Sequence, residues 1–199
     1  MEMGTSRIRD IVLSLRNFAR LDESAMKQAA VEQGLDSTLL ILQNRLGLQS
    51  FRPAIEMIKH YGNLPPIECY PGQLNQVFLN ILANAIDAID EMSRQRDLKA
   101  WQPRIILRTE LQADQVVIVM SDNGGGMAAD VQAHIFDPFF TTKPVGQGTG
   151  MGLAISHKIV SDQHKGSLIC QSELGEGTTF VIYLPRKQPL EHHSVCHLA

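Results

Sequence analysis

Apolar residues along this chain recur at two spacings, every three to four positions in some stretches and every second position in others. The stretch RIRDIVLSLRNFARLDE, Arg7 to Glu23, sets Ile8, Ile11, Val12, Leu15 and Phe18 opposite Arg7, Arg9, Asp10 and Arg16, which predicts an amphipathic helix. Such a seam has to pack on the rest of the chain, on a second copy or on another helix. After a polar joint, Asp36 to Leu46 predicts a second helix, and Ala54 to Tyr61 and Pro66 to Tyr70 predict short strands around the turn GNLPP. A long helix is predicted from Gly72 to about Ser93, followed by a polar loop containing Trp101 and Pro103. RIILRTEL and QVVIVMSD read as a strand pair joined by a hairpin turn at Gln112 to Asp114. Beyond the Gly-, Pro- and Thr-rich stretch Asn123 to Gly152, a helix from about Met151 to Asp162 precedes two strands, SLICQSE and TTFVIYLP, around the turn LGEG. The sum is an α+β two-layer sandwich, helices on one face of a mixed, mostly antiparallel sheet. The tail from Arg186 lacks periodicity and is expected to be loose.

Composition narrows the function classes. With 199 residues, 44% of them apolar, the chain can bury a core of one domain plus an appendage. A formal net charge of -3 and no basic stripe argue against nucleic-acid binding through a broad positive face. The three cysteines, Cys69, Cys170 and Cys196, are too few and too scattered for a disulfide scaffold or a Cys-rich zinc site, which fits a reducing, intracellular setting. The start lacks a signal-peptide pattern, and Asn80 and Asn84 interrupt the longest apolar run, so no membrane span is expected.

Within that run, NQVFLNILANAIDAI, a helical turn of about 100° per residue puts Gln76, Asn80, Asn84 and Asp87 on one narrow stripe, while apolar side chains cover nearly everything else. Burying amides and a carboxylate without partners is costly, so the stripe should face a polar ligand, an ion, water or an internal hydrogen-bond network. An Asn oxygen is a hard ligand that suits Mg²⁺.

Further candidate chemistry lies in three glycine-bearing stretches. In SDNGGGM, Asp122 comes off an apolar strand; a carboxylate there can accept a hydrogen bond from an exocyclic amine such as adenine N6 and would repel the guanine carbonyl, although a plain Asp-Asn-Gly turn reads the same way. In IFDPFFTTKPVGQGTGMGLAIS, glycines stand before a helix despite costing about 0.5–1 kcal/mol each, which points to a need for bare backbone at an anion site. The spacing is not that of a P-loop. FDPFF would anchor the segment and TTKPVGQGT would cover the site, with Lys143 as a phosphate contact. In GEGTTF, the Thr178 hydroxyl could support the base-binding carboxylate directly or through water.

In this order and spacing, these stretches resemble the nucleotide-binding boxes of the GHKL ATPase superfamily, most closely the catalytic domain of sensor histidine kinases. The resemblance covers about Asp36 to Lys187 and implies the Bergerat fold, with Mg-ATP between the Asn helix and the glycine loops. It implies Asn84 as the magnesium ligand, Asn80 on the phosphate side and Asp122 as the adenine-reading carboxylate. Gly124, Gly126 and Met127 would form the first glycine box, and Phe136 and Phe140 the phenylalanine box. Thr142, Lys143, Gly148, Thr149, Gly150, Met151, Gly152 and Leu153 would form the lid and second glycine box, Asp87 would face the phosphates, and Thr178 is last. Thr141 to Thr149 is expected to be poorly ordered without nucleotide.

Hydrolases of the superfamily resemble one another in carrying a Glu one turn before the first Asn. Here that position is Gln76, an amide that cannot act as a general base, which favours transfer to a protein group over water attack. The Arg7 to Glu23 helix resembles the second helix of the dimerisation and phosphoacceptor hairpin. No His stands in an H-[DE]-x-[KR] setting, so the first helix, with the phosphoacceptor, is expected to be missing. The expected organisation is a partial hairpin over residues 1–30, a catalytic domain over 36–187 and a tail over 188–199, where His192, His193, Cys196 and His197 read as a loose end rather than a metal site. The resemblance further implies a homodimer through the N-terminal helix, a response-regulator receiver domain as partner, no nucleic-acid or membrane contact and a cytoplasmic place. One departure stands out: many members have a basic or aromatic residue near Asp87 and Ala88, where this chain has an acid, leaving Lys143 or a group from elsewhere to meet the γ-phosphate. A nucleotide-sensing module without catalysis, or a GHKL-type hydrolase, are the alternatives.

Overall fold

The computed structural model describes residues 25–94, 101–144 and 148–187. The helix expected from Arg7 to Glu23 and the tail from residue 188 lie outside them. Five strands form the main sheet: β2 (Glu56–His60), β4 (Arg104–Gln112), β5 (Gln115–Asp122), β7 (Gly177–Pro185) and β6 (Ser167–Glu173), in that spatial order. All neighbours are antiparallel except β2 and β4, which run parallel. A separate two-stranded sheet pairs β1 (Lys27–Ala29) with β3 (Ile67–Cys69).

Strand alternation decides which face is covered. Ile105 and Leu107 of β4, Ile118 and Met120 of β5, and Phe180, Ile182 and Leu184 of β7 are buried on the helix side, while Arg104 and Arg108 point away. Onto this face pack α1 (Val31–Leu46), through Val31, Leu35, Leu39, Leu42 and Leu46, and α2 (Pro71–Ser93), through Val77, Phe78, Ile81, Leu82, Ile86 and Ile89. Pro71 opens α2, where the missing N–H costs nothing and the fixed φ suits a helix. The predicted sandwich is therefore the observed one. The long helix and both hairpins fall within a few residues of their expected bounds, and the β4–β5 turn carries Ala113 at φ 52.

Three local readings change. The strands on either side of GNLPP do not form a hairpin: β2 joins the main sheet and β3 pairs with β1. Pro65 and Pro66 offer no N–H to a ladder, and Asn63, at φ 50, redirects the chain. The polar joint before α1 contains β1, and α1 starts at Val31 rather than Asp36. The helix expected over Met151 to Asp162 is α-helical only as α4 (Gly152–Lys158) and continues as a π-helical turn, Ile159–Gln163; a four-residue helix, α3 (Ala129–Gln132), lies upstream. The π turn has an identifiable cause. Buried His164 donates from Nδ1 to the Ile159 carbonyl at 2.9 Å and accepts the Tyr70 N–H at Nε2, at 3.0 Å, so its ring takes the place of a helical partner.

Candidate functional site

The polar stripe of α2 sits where α1, α4 and the glycine-rich loop converge. Asn80 donates from Nδ2 to the Gly152 carbonyl at 3.0 Å and to Ser156 Oγ at 3.1 Å, fixing the first turn of α4 against α2. One turn on, Asn84 Oδ1 accepts from Lys143 Nζ at 3.2 Å. The same ammonium lies 2.5 Å from Asp87 Oδ2, while Asp87 Oδ1 accepts from Arg45 Nη2 at 2.5 Å. The structure thus brings Asn80, Asn84, Asp87 and Lys143 together, with Gln76 one turn earlier on the stripe. It adds Arg45, from the last turn of α1. The hard oxygen of Asn84 can bind a cation; here it accepts from the Lys143 ammonium, which would have to move aside for a magnesium ion to bind there. A single protein oxygen suits an ion otherwise held by water and phosphate. Among the described residues no cluster of three or more His, Cys, Asp or Glu could hold a metal unaided.

The second centre is Asp122 at the end of β5. Its Oδ1 accepts the Gly124 N–H at 2.8 Å, and the Thr178 N–H also supports the carboxyl. Burial outweighs both bonds and pushes the carboxyl up to about 6 from its ordinary 3.8. The Thr178 hydroxyl does not reach it; it bonds Ser172 Oγ at 2.9 Å, because the β5–β7 register brings the backbone of Thr178, not its side chain, to Asp122. Two of the three glycines after Asp122 are sterically required, while a Cβ on Gly125 would make only ordinary contact with Met92, at 3.7 Å. A Cβ on Gly124 would come within 2.8 Å of the Ala88 carbonyl carbon, and Gly126, at φ 63, would meet the Glu173 oxygen at 1.9 Å. Ser172, absent from the sequence reading, ties this loop down: its Oγ accepts the Met127 N–H at 2.8 Å and donates to the Gly177 carbonyl at 2.9 Å. No motif marks a serine in an ordinary strand, so only the fold reveals it.

In the loop between the centres, Phe136 packs on the core and against His157, with ring centroids 4.9 Å apart, and Phe140 lies 5.7 Å from His134. Phe139, by contrast, is 76% exposed at φ 68, so only part of FDPFF anchors the segment. Its N–H donates to the Gly150 carbonyl at 3.0 Å; Gly150, at φ 65, would bring a Cβ to 2.4 Å from the Phe139 carbonyl carbon. Gly150 is therefore needed to close the loop on itself. Gly148 packs on Thr141 and Lys143, Thr149 Oγ1 accepts the Met151 N–H at 3.3 Å, Thr142 is exposed and Leu153 lies against the core. Gly152 differs: an added Cβ would make ordinary contact with Asn80, at 3.5 Å, so packing alone does not demand glycine there. Val145, Gly146 and Gln147 lie outside the described residues, and with them part of the segment expected to order on nucleotide binding.

A carboxylate at the end of β5, an Asn oxygen beside a cation on α2 and glycine-bearing loops at both centres are groups suited to a nucleotide. The family model for histidine kinase-, DNA gyrase B- and HSP90-like ATPases matches residues 69–188, which takes in both centres. The chain belongs to this family. Within it, the sequence is 37% identical over 193 residues to sensor kinase CckA of Brucella abortus, covering 94% of this chain and 20% of that protein. It is 33% identical over 185 residues to sporulation kinase E of Bacillus subtilis, covering 93% of this chain and 23% of that one. It is also 35% identical over 179 residues to the signal transduction histidine-protein kinase AtoS of Escherichia coli, covering 89% and 27%. The chain spans about a fifth to a quarter of these relatives. Among solved structures, the nucleotide-free catalytic domain of histidine kinase ThkA matches with a TM-score of 0.67 at 22% identity over 82% of this chain and 97% of that one, a likeness of fold. Full-length ShkA in complex with AMPPNP matches with a TM-score of 0.67 at 25% identity over 90% of this chain and 36% of that one. The expected kinship to sensor histidine kinases is borne out, and this is an ATPase domain of the sensor-kinase type. No helix among the described residues is long and apolar enough to cross a membrane.

Proposed function

We propose that the domain binds Mg-ATP between α2 and the glycine loops and passes the γ-phosphoryl group to a histidine on a partner helix, for relay to a response-regulator aspartate. One observation carries the reading: α2 presents Asn84 beside the Lys143 ammonium, while Asp122, bonded to the Gly124 N–H, stands at the end of β5, so that cation-compatible and base-reading groups form separate centres. Asp122 accepts from adenine N6, and the Gly124 backbone lets the flat base approach. Asn84 would hold the magnesium ion, which when bound neutralises phosphate charge. Asn80 keeps α4 in place beneath the phosphates, and Lys143 turns from Asp87 to the nucleotide. Gln76 supplies no base for water, so the residues act by positioning and charge rather than by hydrolysis.

The proposed organisation puts part of a dimerisation hairpin before the domain and a loose tail after residue 187. The pairing of β1 with β3 supports a boundary before Lys27 rather than at residue 30. Homodimerisation through the N-terminal helix, a receiver-domain partner and a cytoplasmic place belong to the same proposal, which needs no nucleic acid or membrane contact by this domain. The test mixes the protein with labelled Mg-ATP and a separately supplied histidine-bearing hairpin. Label on the histidine supports the kinase; steady phosphate release without it makes the domain a hydrolase, and binding with neither makes it a nucleotide-sensing module. Failure to bind adenine nucleotide at all would end the reading.

A further inference from the structure

The polar stripe of α2 presents no cation: the whole helix, PGQLNQVFLNILANAIDAIDEMS, lacks Lys, Arg and His. Yet the phosphate end of the cleft is not acidic, because Asp87 draws in two cations from other segments, Arg45 of α1 and Lys143 of the loop. Arg45 is the better placed to stay. Its backbone carbonyl accepts a hydrogen bond from Arg52 Nη2, and Arg52 is itself locked by Nε to Asp90 Oδ1 at 2.5 Å and by Nη1 to the Gly47 and Pro53 carbonyls, each at 3.0 Å. The Arg52 side chain is fully buried, so the end of α1 is clamped to α2 at Asp90, three residues beyond Asp87 on the same helix. The Arg45 side chain, in contrast, is 40% exposed, and among the described residues its only side-chain hydrogen bond is to Asp87. A guanidinium has five N–H donors in a fork that matches phosphate, so most of that fork remains available.

We propose that Arg45, aimed by Asp87, is the cation that contacts the γ-phosphate, in the role that no residue of α2 can fill. The inference rests on the Mg-ATP reading above and assigns a new residue to it. Asp87 is then a positioning residue whose carboxylate sets the direction of the guanidinium, and the acid on α2 becomes the means by which a cation from α1 reaches the site.

The test compares binding of ADP and of the non-hydrolysable analogue adenylyl imidodiphosphate, with Mg²⁺, to the whole chain and its variants. Arg45→Gln should weaken the analogue about tenfold and leave ADP within about twofold, since only the analogue carries the group at the γ position and a charge-assisted hydrogen bond is worth about that factor. Arg45→Lys should retain part of the preference. The double variant Arg45→Gln/Asp87→Asn should stay as weak as Arg45→Gln. Recovery in the double variant overturns the proposal, because Arg45 would then only offset the charge of Asp87. Equal loss for both nucleotides, or none, overturns it too. A parent chain that binds neither nucleotide removes the underlying Mg-ATP reading, whereas unchanged discrimination in Arg45→Gln removes the Arg45 assignment alone.

Discussion

Asp122→Asn should stabilise the domain and, on the proposed reading, remove the preference for adenine. Burial raises the carboxyl to about 6 from 3.8 even after the Gly124 and Thr178 N–H groups have pulled it down. A displacement of about two pH units corresponds to about 3 kcal/mol. The sign follows from which state binds the proton more tightly. The folded pKa lies above the unfolded one, so the penalty for the ionised group is fully present above about pH 6 and fades as the pH falls through 3.8, below which both states are protonated. Asparagine carries no charge and keeps an oxygen for both backbone N–H groups. Nucleotide-free Asp122→Asn is therefore expected to gain about 2–3 kcal/mol at pH 7.5 and about 1 kcal/mol at pH 4.5. In a chain of this size each kcal/mol moves Tm by about 2–4 °C. Thermal melts of both proteins at the two pH values read the effect, and titration with ATP and GTP reads the loss of adenine preference. A gain equal at both pH values, or no gain, would refute the attribution to a buried charge.

Other substitutions probe the frame. Asp90→Ala leaves the fully buried Arg52 guanidinium without its carboxylate and should cost about 3–5 kcal/mol in denaturant unfolding; a loss under about 1 kcal/mol would mean that the carbonyls alone satisfy Arg52. Gly150→Ala forces a side chain onto a left-handed backbone against Phe139 and should destabilise the loop by about 1–2 kcal/mol, visible as faster proteolysis between Phe139 and Gly150; unchanged cleavage would count against the close packing. Burial lowers the pKa of His164, so stability should be flat above about pH 6.5, where both states are neutral, and fall as the pH drops below it while the unfolded chain alone takes the proton. In His164→Gln that part of the slope should vanish from a Tm-against-pH series. Asn84→Ala should abolish the magnesium dependence of nucleotide binding in a titration with and without Mg²⁺, and retained dependence would move the metal elsewhere.

What the sequence conveyed, and what it did not, follows from how local each signal is. The apolar wrap of α2 and its polar stripe are properties of a single helix, so Asn80, Asn84 and Asp87 could be placed together before any fold was known. The β4–β5 and β6–β7 hairpins are equally local. β1 is three residues long, two of them polar, and it is a strand because it pairs with β3, a fact that no window of sequence contains. The π turn depends on His164 meeting Tyr70, 94 positions away. Arg45 looks like an ordinary cation in a helix's last turn until α1 is laid beside α2, and Ser172 acquires meaning only when the β6–β7 hairpin folds over Gly126.

The way α4 is mounted limits how the cleft can open. At its first turn it is pinned to α2 by Asn80, and just past its end His164 links the Ile159 carbonyl to the Tyr70 N–H, where α2 begins. A rod bolted at both ends to a beam cannot act as a flap. Displacement of the cover must be taken up ahead of α4, where Phe139 and Gly150, joined by a single backbone hydrogen bond, both sit in left-handed conformation. Between them Lys143 is tied to α2 through Asn84 and Asp87, so movement here has to break those contacts as well as the backbone bond, while the Asn80 and His164 ties leave α4 in place.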